Sequence, residues 1–185
     1  NYKIISTGGT AKVLIDSGLK VIPIQEITGN PESFDGRMKT ISFQIEGGIL
    51  FDRSNKKHLK EAKKLKIKNI EIVVCNLYPF EDKPVISNID VGGPTMIRAA
   101  AKNYDNVLVV VSPEDYKKVS FAIKEKITSK LRKELASRAF YYLSFYDSQI
   151  GNFFGQEKFP KEITIPLRKT NILRYGENPH QGGAL

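Results

Sequence analysis

Residues 71–75, Glu71-Ile72-Val73-Val74-Cys75, and residues 107–111, Val107-Leu108-Val109-Val110-Val111, decide the fold. Both are short apolar runs rich in valine and isoleucine, the pattern of buried core strands. Between them Pro94–Asn103 reads as a helix, with Pro94 at the favoured first position after two glycines. Strand, helix and strand in that order predict parallel strands joined by a right-handed crossover. Working outward, Lys3–Ser6 reads as a strand and Ala11–Ser17 as a helix stopped by Gly18. Val21–Ile24 reads as an edge strand because of Pro23. Residues 28–48, with five glycines and prolines, read as one long functional loop. Lys57–Lys66, Pro113–Lys124 and Ser129–Phe154 are helical by period, and a linker follows Gly155. The expected class is α/β: a three-layer, doubly wound, mainly parallel sheet, with sites at the carboxyl ends of its strands.

The composition narrows the function. The 185 residues are 41% apolar and 26% charged, ordinary values for a chain with a full hydrophobic core. The single Cys75 excludes a disulfide framework and multi-cysteine metal sites, and His58 and His180 lie far apart. No metal is expected. No apolar run reaches the ~20 residues that span a membrane, so the expectation is a cytoplasmic protein with no membrane partner. The net charge of +9 favours anionic ligands. Only seven of the 29 basic residues are arginine, and the lysines lie in solvated runs without interleaved aromatics, so nucleic acid is not expected. The chain opens on a strand and closes at Gly182-Gly183-Ala184-Leu185. It therefore reads as a piece of a longer protein, its sheet lacking a first strand.

Four turns carry groups suited to phosphate binding or proton transfer. Ser6-Thr7-Gly8-Gly9-Thr10 joins a strand to a helix. Its glycines expose N–H groups to an anion at the positive end of that helix, or else it is a glycine turn with a threonine cap. Asp35-Gly36-Arg37-Met38-Lys39-Thr40 places a guanidinium, an ammonium and a hydroxyl on one loop, whether as a ligand clamp or as a solvated loop. Asn76-Leu77-Tyr78-Pro79 follows a core strand, where a phenol can donate to an oxyanion or serve packing. Asp90-Val91-Gly92-Gly93 opens a helix that carries Thr95, Arg98 and Lys102. An Asp90–Lys102 pair could move a proton, and a helix cap plus a surface lysine is the plainer reading.

In that order, and together with Gly47-Gly48-Ile49-Leu50, Arg98–Asn103 and Arg174-Tyr175-Gly176-Glu177-Asn178-Pro179-His180-Gln181, these motifs resemble a known family. It comprises the bifunctional purine-biosynthesis proteins that are both aminoimidazole carboxamide ribotide (AICAR) transformylase and inosine monophosphate (IMP) cyclohydrolase. The resemblance is to their N-terminal domain and implies a methylglyoxal-synthase-like fold. It divides the chain into a cyclohydrolase domain over residues 1–165, and a linker with the start of a transformylase domain over 166–185. It implies dehydrative closure of the formylated carboxamide ribotide to IMP. Lys39 and Tyr78 would act on the formyl oxygen, and Asp90 with Lys102 would handle the carboxamide proton. Ser6, Gly8, Gly9 and Thr10 would bind phosphate. Arg37 and Thr40 would hold the nucleotide, and Asn76 and Gly92 would line the base pocket. Arg174 and Tyr175 resemble residues that touch the transformylase substrate.

The purine ribotide is the implied small-molecule partner. No cofactor is implied for ring closure, 10-formyltetrahydrofolate for the transformylase domain, and a homodimer for the full-length protein. The alternatives on the same fold are a phosphate-ligand-binding regulatory domain and an inactive copy. The inactive copy is motivated by Ile41-Ser42-Phe43 and Glu46, where the family usually carries Leu-His-Pro and a histidine. A shortened segment between Pro79 and Asp90 predicts loss of a small surface helix.

Overall fold

The computed structural model describes residues 2–185. Strand β1 (Ile4–Ser6), helix α1 (Gly8–Asp16) and strand β2 (Val21–Pro23) form a parallel unit in which Ile4 faces Val21 and Ser6 faces Pro23. Short α2 (Gln25–Thr28), α3 (Phe43–Leu50) and α4 (Lys56–Lys64) follow. Strand β3 (Ile72–Val74), α5 (Gly92–Lys102) and β4 (Leu108–Val110) are the second parallel unit, with Val73 opposite Val109. Helices α6 (Tyr116–Lys124) and α7 (Ser129–Phe154) lead to an antiparallel hairpin of β5 (Ile172–Leu173) and β6 (Gly183–Ala184).

The α/β, parallel reading holds, but a single continuous ladder does not. Among the described residues β1–β2 and β3–β4 are separate pairs. Pro23 lies on β2, which pairs only with β1. The core gathers around β4 and α5, where Ile97, Leu108, Leu135 and Leu143 are fully buried. Their apolar burial is the main favourable term holding α5 and α7 against the strands. Arg138 of α7 ties that helix to the turn before α6, donating to buried Asp115 at 2.8 Å.

The loop expected over residues 28–48 is corrected. Its last six residues are helical, because Ser42 caps α3 by accepting from the Ile45 N–H at 3.1 Å, and Ile45 and Ile49 enter the core one turn apart. Gly47 and Gly48 mark close packing there rather than a loop. A Cβ on Gly47 would stand 2.7 Å from Ile67 Cδ1, and one on Gly48 would collide with the Lys68 carbonyl oxygen. That oxygen is backbone and cannot swing aside, so Gly48→Ala is expected to cost about 3 kcal/mol, read as a lower urea midpoint. Between Pro79 and Asp90 only one 3₁₀ turn, Ile86–Asn88, remains.

Candidate active site

Helix α1 begins at Gly8, three residues earlier than its apolar spacing predicts, with Gly8 at φ +55°. Thr7 is the N-cap in position but its side chain makes no capping bond, and no acidic residue occupies the first turn. The first N–H groups of a nine-residue helix are thus left for an anion, and Gly8, Gly9 and Thr10 are exposed around them. Ser6 stands at the end of β1.

The Lys39 segment is shaped by a tight hairpin. Ser33 and Met38 exchange backbone hydrogen bonds, and Arg37 N–H donates to the Phe34 carbonyl at 3.1 Å. Phe34, Asp35 and Gly36 at the hairpin tip all have positive φ, +56°, +52° and +85°, a conformation glycine adopts readily. Asp-Gly is a sequence signature of a tight hairpin turn. The turn leaves Arg37 exposed and returns Lys39 over its own hairpin, where Nζ pairs with Glu32 Oε1 at 2.9 Å. A Cβ on Gly36 would lie 2.7 Å from both atoms, so glycine is what admits the pair.

Lys39 also approaches the anion turn: a Cβ on Gly8 would be 3.9 Å from its Nζ. Its hydrogen bond to Glu32 raises its pKa above the ordinary lysine value, with burial opposing and the Tyr78 phenol adding to the rise. Lys39 is therefore an ammonium at neutral pH, a donor rather than a base.

Thr40 connects this loop to the start of α5, because its Oγ1 fills the space a Cβ on Gly92 would need. Asp90 accepts the Gly93 N–H on Oδ1 at 2.8 Å, closing the helix N-terminus. A Cβ on Gly93 would lie 2.6 Å from both Asp90 Oδ2 and Leu77 Cδ2, so Gly93 lets the two loops approach. Tyr78 follows Leu77 and is 59% exposed, available to a ligand. Helix α7 reaches both loops from behind. The Tyr142 hydroxyl accepts the Leu77 N–H at 3.1 Å, and the Tyr146 hydroxyl accepts the Asp90 N–H at 2.8 Å.

Two expected roles need correction. Asp90 and Lys102 do not form a pair: Asp90 precedes α5 and Lys102 ends it, and the 11 residues of that helix span about 15 Å at a rise of ~1.5 Å per residue. Lys102 is an exposed cation in the last turn, where it complements the helix dipole. Arg98 pairs with Asp147 of α7. The Asn76 amide is committed to its neighbours, donating to the Val111 carbonyl at 2.8 Å and accepting from the Tyr116 hydroxyl at 3.2 Å. Arg174 and Tyr175 are exposed beside the β5–β6 hairpin.

Glu32, Tyr142 and Tyr146 were not singled out as site residues. Glu32 carries no motif, but two tyrosines four residues apart on α7 could have been read as one helix face. Cys75 is no nucleophile: burial, then the Asp90 charge, pushes its thiol up to about 12. Among the described residues no three His, Cys, Asp or Glu side chains gather as a metal site.

Glu46 is an anomaly. Both carboxylate oxygens are buried without a hydrogen-bond partner, and desolvation raises its pKa. Because the folded state holds this proton more tightly than the unfolded chain, Glu46 subtracts stability as pH rises from about 4.5 through the raised value. Glu46→Gln is expected to flatten that slope and raise the urea midpoint at pH 8 relative to the parent.

The profile of the MGS-like domain matches residues 1–108. The chain belongs to the MGS-like domain family. A second profile, AICARFT/IMPCHase bienzyme, matches residues 100–185 of this MGS-like chain. The bifunctional purine biosynthesis protein PurH of Clostridium botulinum (strain Loch Maree / Type A3) is 48% identical over 194 residues, covering 100% of the chain and 39% of the relative. PurH of Acetivibrio thermocellus is 45% identical over 193 residues, covering 96% of the chain and 38% of that protein. The MGS-like chain thus spans about two fifths of the length of these curated relatives. In structure it resembles the crystal structure of ForH, with a TM-score of 0.75, 28% identity, and coverage of 84% of this chain and 87% of that one. No helix among the described residues is long and apolar enough to cross a membrane.

Proposed function

We propose that this MGS-like domain is an IMP cyclohydrolase, closing the formylated carboxamide ribotide to IMP with loss of water. The observation that carries the reading is that the loops bearing an ammonium, a phenol and a carboxylate pack against one another. Lys39 Nζ lies beside Gly8 at the start of α1, Thr40 packs against Gly92 beside the Asp90 turn, and Leu77, next to Tyr78, packs against Gly93. The ribotide phosphate binds the N–H groups of Gly8, Gly9 and Thr10, with the hydroxyl of Ser6 beside them. That contact anchors the substrate.

The carboxamide nitrogen then attacks the formyl carbon. Asp90 accepts one proton from the attacking nitrogen while Lys39 and Tyr78 hydrogen-bond the oxygen as it gains charge; the C–O bond then breaks as the formylated nitrogen gives up its proton and forms the C=N bond, and the oxygen leaves as water with both protons. Holding two groups of one molecule in contact supplies much of the acceleration, so an amide, a poor nucleophile, suffices. Arg37 and Thr40 contact the nucleotide, and the Gly92 backbone borders the base. The step needs no cofactor; 10-formyltetrahydrofolate would serve a transformylase region such as the longer relatives carry.

The test is direct: incubate the chain with the formylated ribotide and follow IMP by absorbance. Catalysed formation of IMP is expected. Tight ribotide binding without turnover would support a regulatory module instead, and neither binding nor turnover an inactive copy.

A further inference from the structure

Tyr142 and Tyr146 lie four residues apart on α7, and therefore on one face one turn from each other. Each hydroxyl ends on the backbone of a different site loop. Tyr142 accepts from Leu77 N–H, next to Tyr78; Tyr146 accepts from Asp90 N–H and donates to the Asn88 carbonyl at 3.1 Å. The Tyr146 ring is 5% exposed and meets Phe80 edge-on at 6.3 Å, so the ring that holds the Asp90 turn also packs beneath the Tyr78 loop. Neither hydroxyl is needed to build α7, whose backbone bonds are internal.

We infer that Tyr142 and Tyr146 are positioning residues, a two-pronged clamp by which α7 sets the spacing between the phenol of Tyr78 and the carboxylate of Asp90. This rests on the proposed cyclohydrolase reading. Both prongs leave one 26-residue helix, so the two loops cannot move apart unless a hydrogen bond breaks. In ring closure the proton acceptor and the oxyanion donor act on atoms of one forming ring. An error in their separation falls on the chemical step rather than on ligand affinity.

Tyr142→Phe and Tyr146→Phe remove the hydroxyls and keep the rings. Amide hydrogen exchange is expected to quicken at Leu77 in the first variant and at Asp90 in the second, with the rest of α5 and α7 unchanged. With the formylated ribotide, each kcat is expected to fall about tenfold with KM within about twofold. The double variant should lose less than the product of the single losses, because one prong alone cannot fix a spacing. Tyr146→Ala, which also removes the ring, serves as the structural control and should lower the urea midpoint as well.

A wild-type chain without turnover would overturn the cyclohydrolase reading itself. Wild-type activity together with unchanged kcat in both Phe variants would overturn the clamp alone. So would unchanged exchange at Leu77 and Asp90, or a loss of activity fully explained by unfolding in urea.

Discussion

Lys39→Ala is expected to lower the rate of ring closure by about two to three orders of magnitude. The ammonium stands beside the start of α1, and its hydrogen bond to Glu32 raises its pKa, so it is charged at neutral pH. Alanine removes the charge without disturbing packing, since Lys39 sits on a half-exposed loop whose hairpin is fixed by backbone bonds between Ser33 and Met38. The loss should therefore appear in kcat with the urea midpoint unchanged. A variant that retains wild-type kcat would remove Lys39 from the chemical step.

Asp90→Asn is expected to lower kcat about a hundredfold. The substitution is informative because it separates charge from structure. An asparagine Oδ1 can still accept the Gly93 N–H that closes α5, and the Asp90 N–H still reaches Tyr146. What is lost is the ability to take a proton. A stable, ligand-binding, slow enzyme is the expected outcome. Equal rates in parent and variant would mean that another group, or water, accepts the proton. The separation of Asp90 from Lys102 by the full length of α5 makes the carboxylate act without that lysine.

Much of this was legible in the residues. The valine-rich runs gave β3 and β4, and the apolar period gave α6 and α7, because burial and backbone hydrogen bonding impose those spacings locally. The four turns that carry polar chemistry were also visible, since glycine beside hydroxyl, ammonium or carboxylate marks a place where backbone and ligand approach. Helix α3 was not read, although Ser42, Ile45 and Ile49 signal it. Gly47 and Gly48 pointed to a loop, and only their contacts with Ile67 and Lys68 explain their size. The Asp35-Gly36 pair also signals a tight turn in the sequence.

The sequence alone determined which side chains could do the chemistry and on which connecting turns they sit, because residue type and local period are properties of neighbours along the chain. Tertiary structure decided which of those side chains meet. It brought Lys39 to Gly8 and Glu32, set Thr40 against Gly92, and hung the Leu77 and Asp90 turns from two tyrosines of α7. It also placed Lys102 out of Asp90's reach and left the Glu46 carboxylate buried without a partner. Those outcomes depend on how separate elements pack. An ion pair, a desolvated carboxylate and a clamp across some sixty residues of chain leave no periodic trace in the order of amino acids.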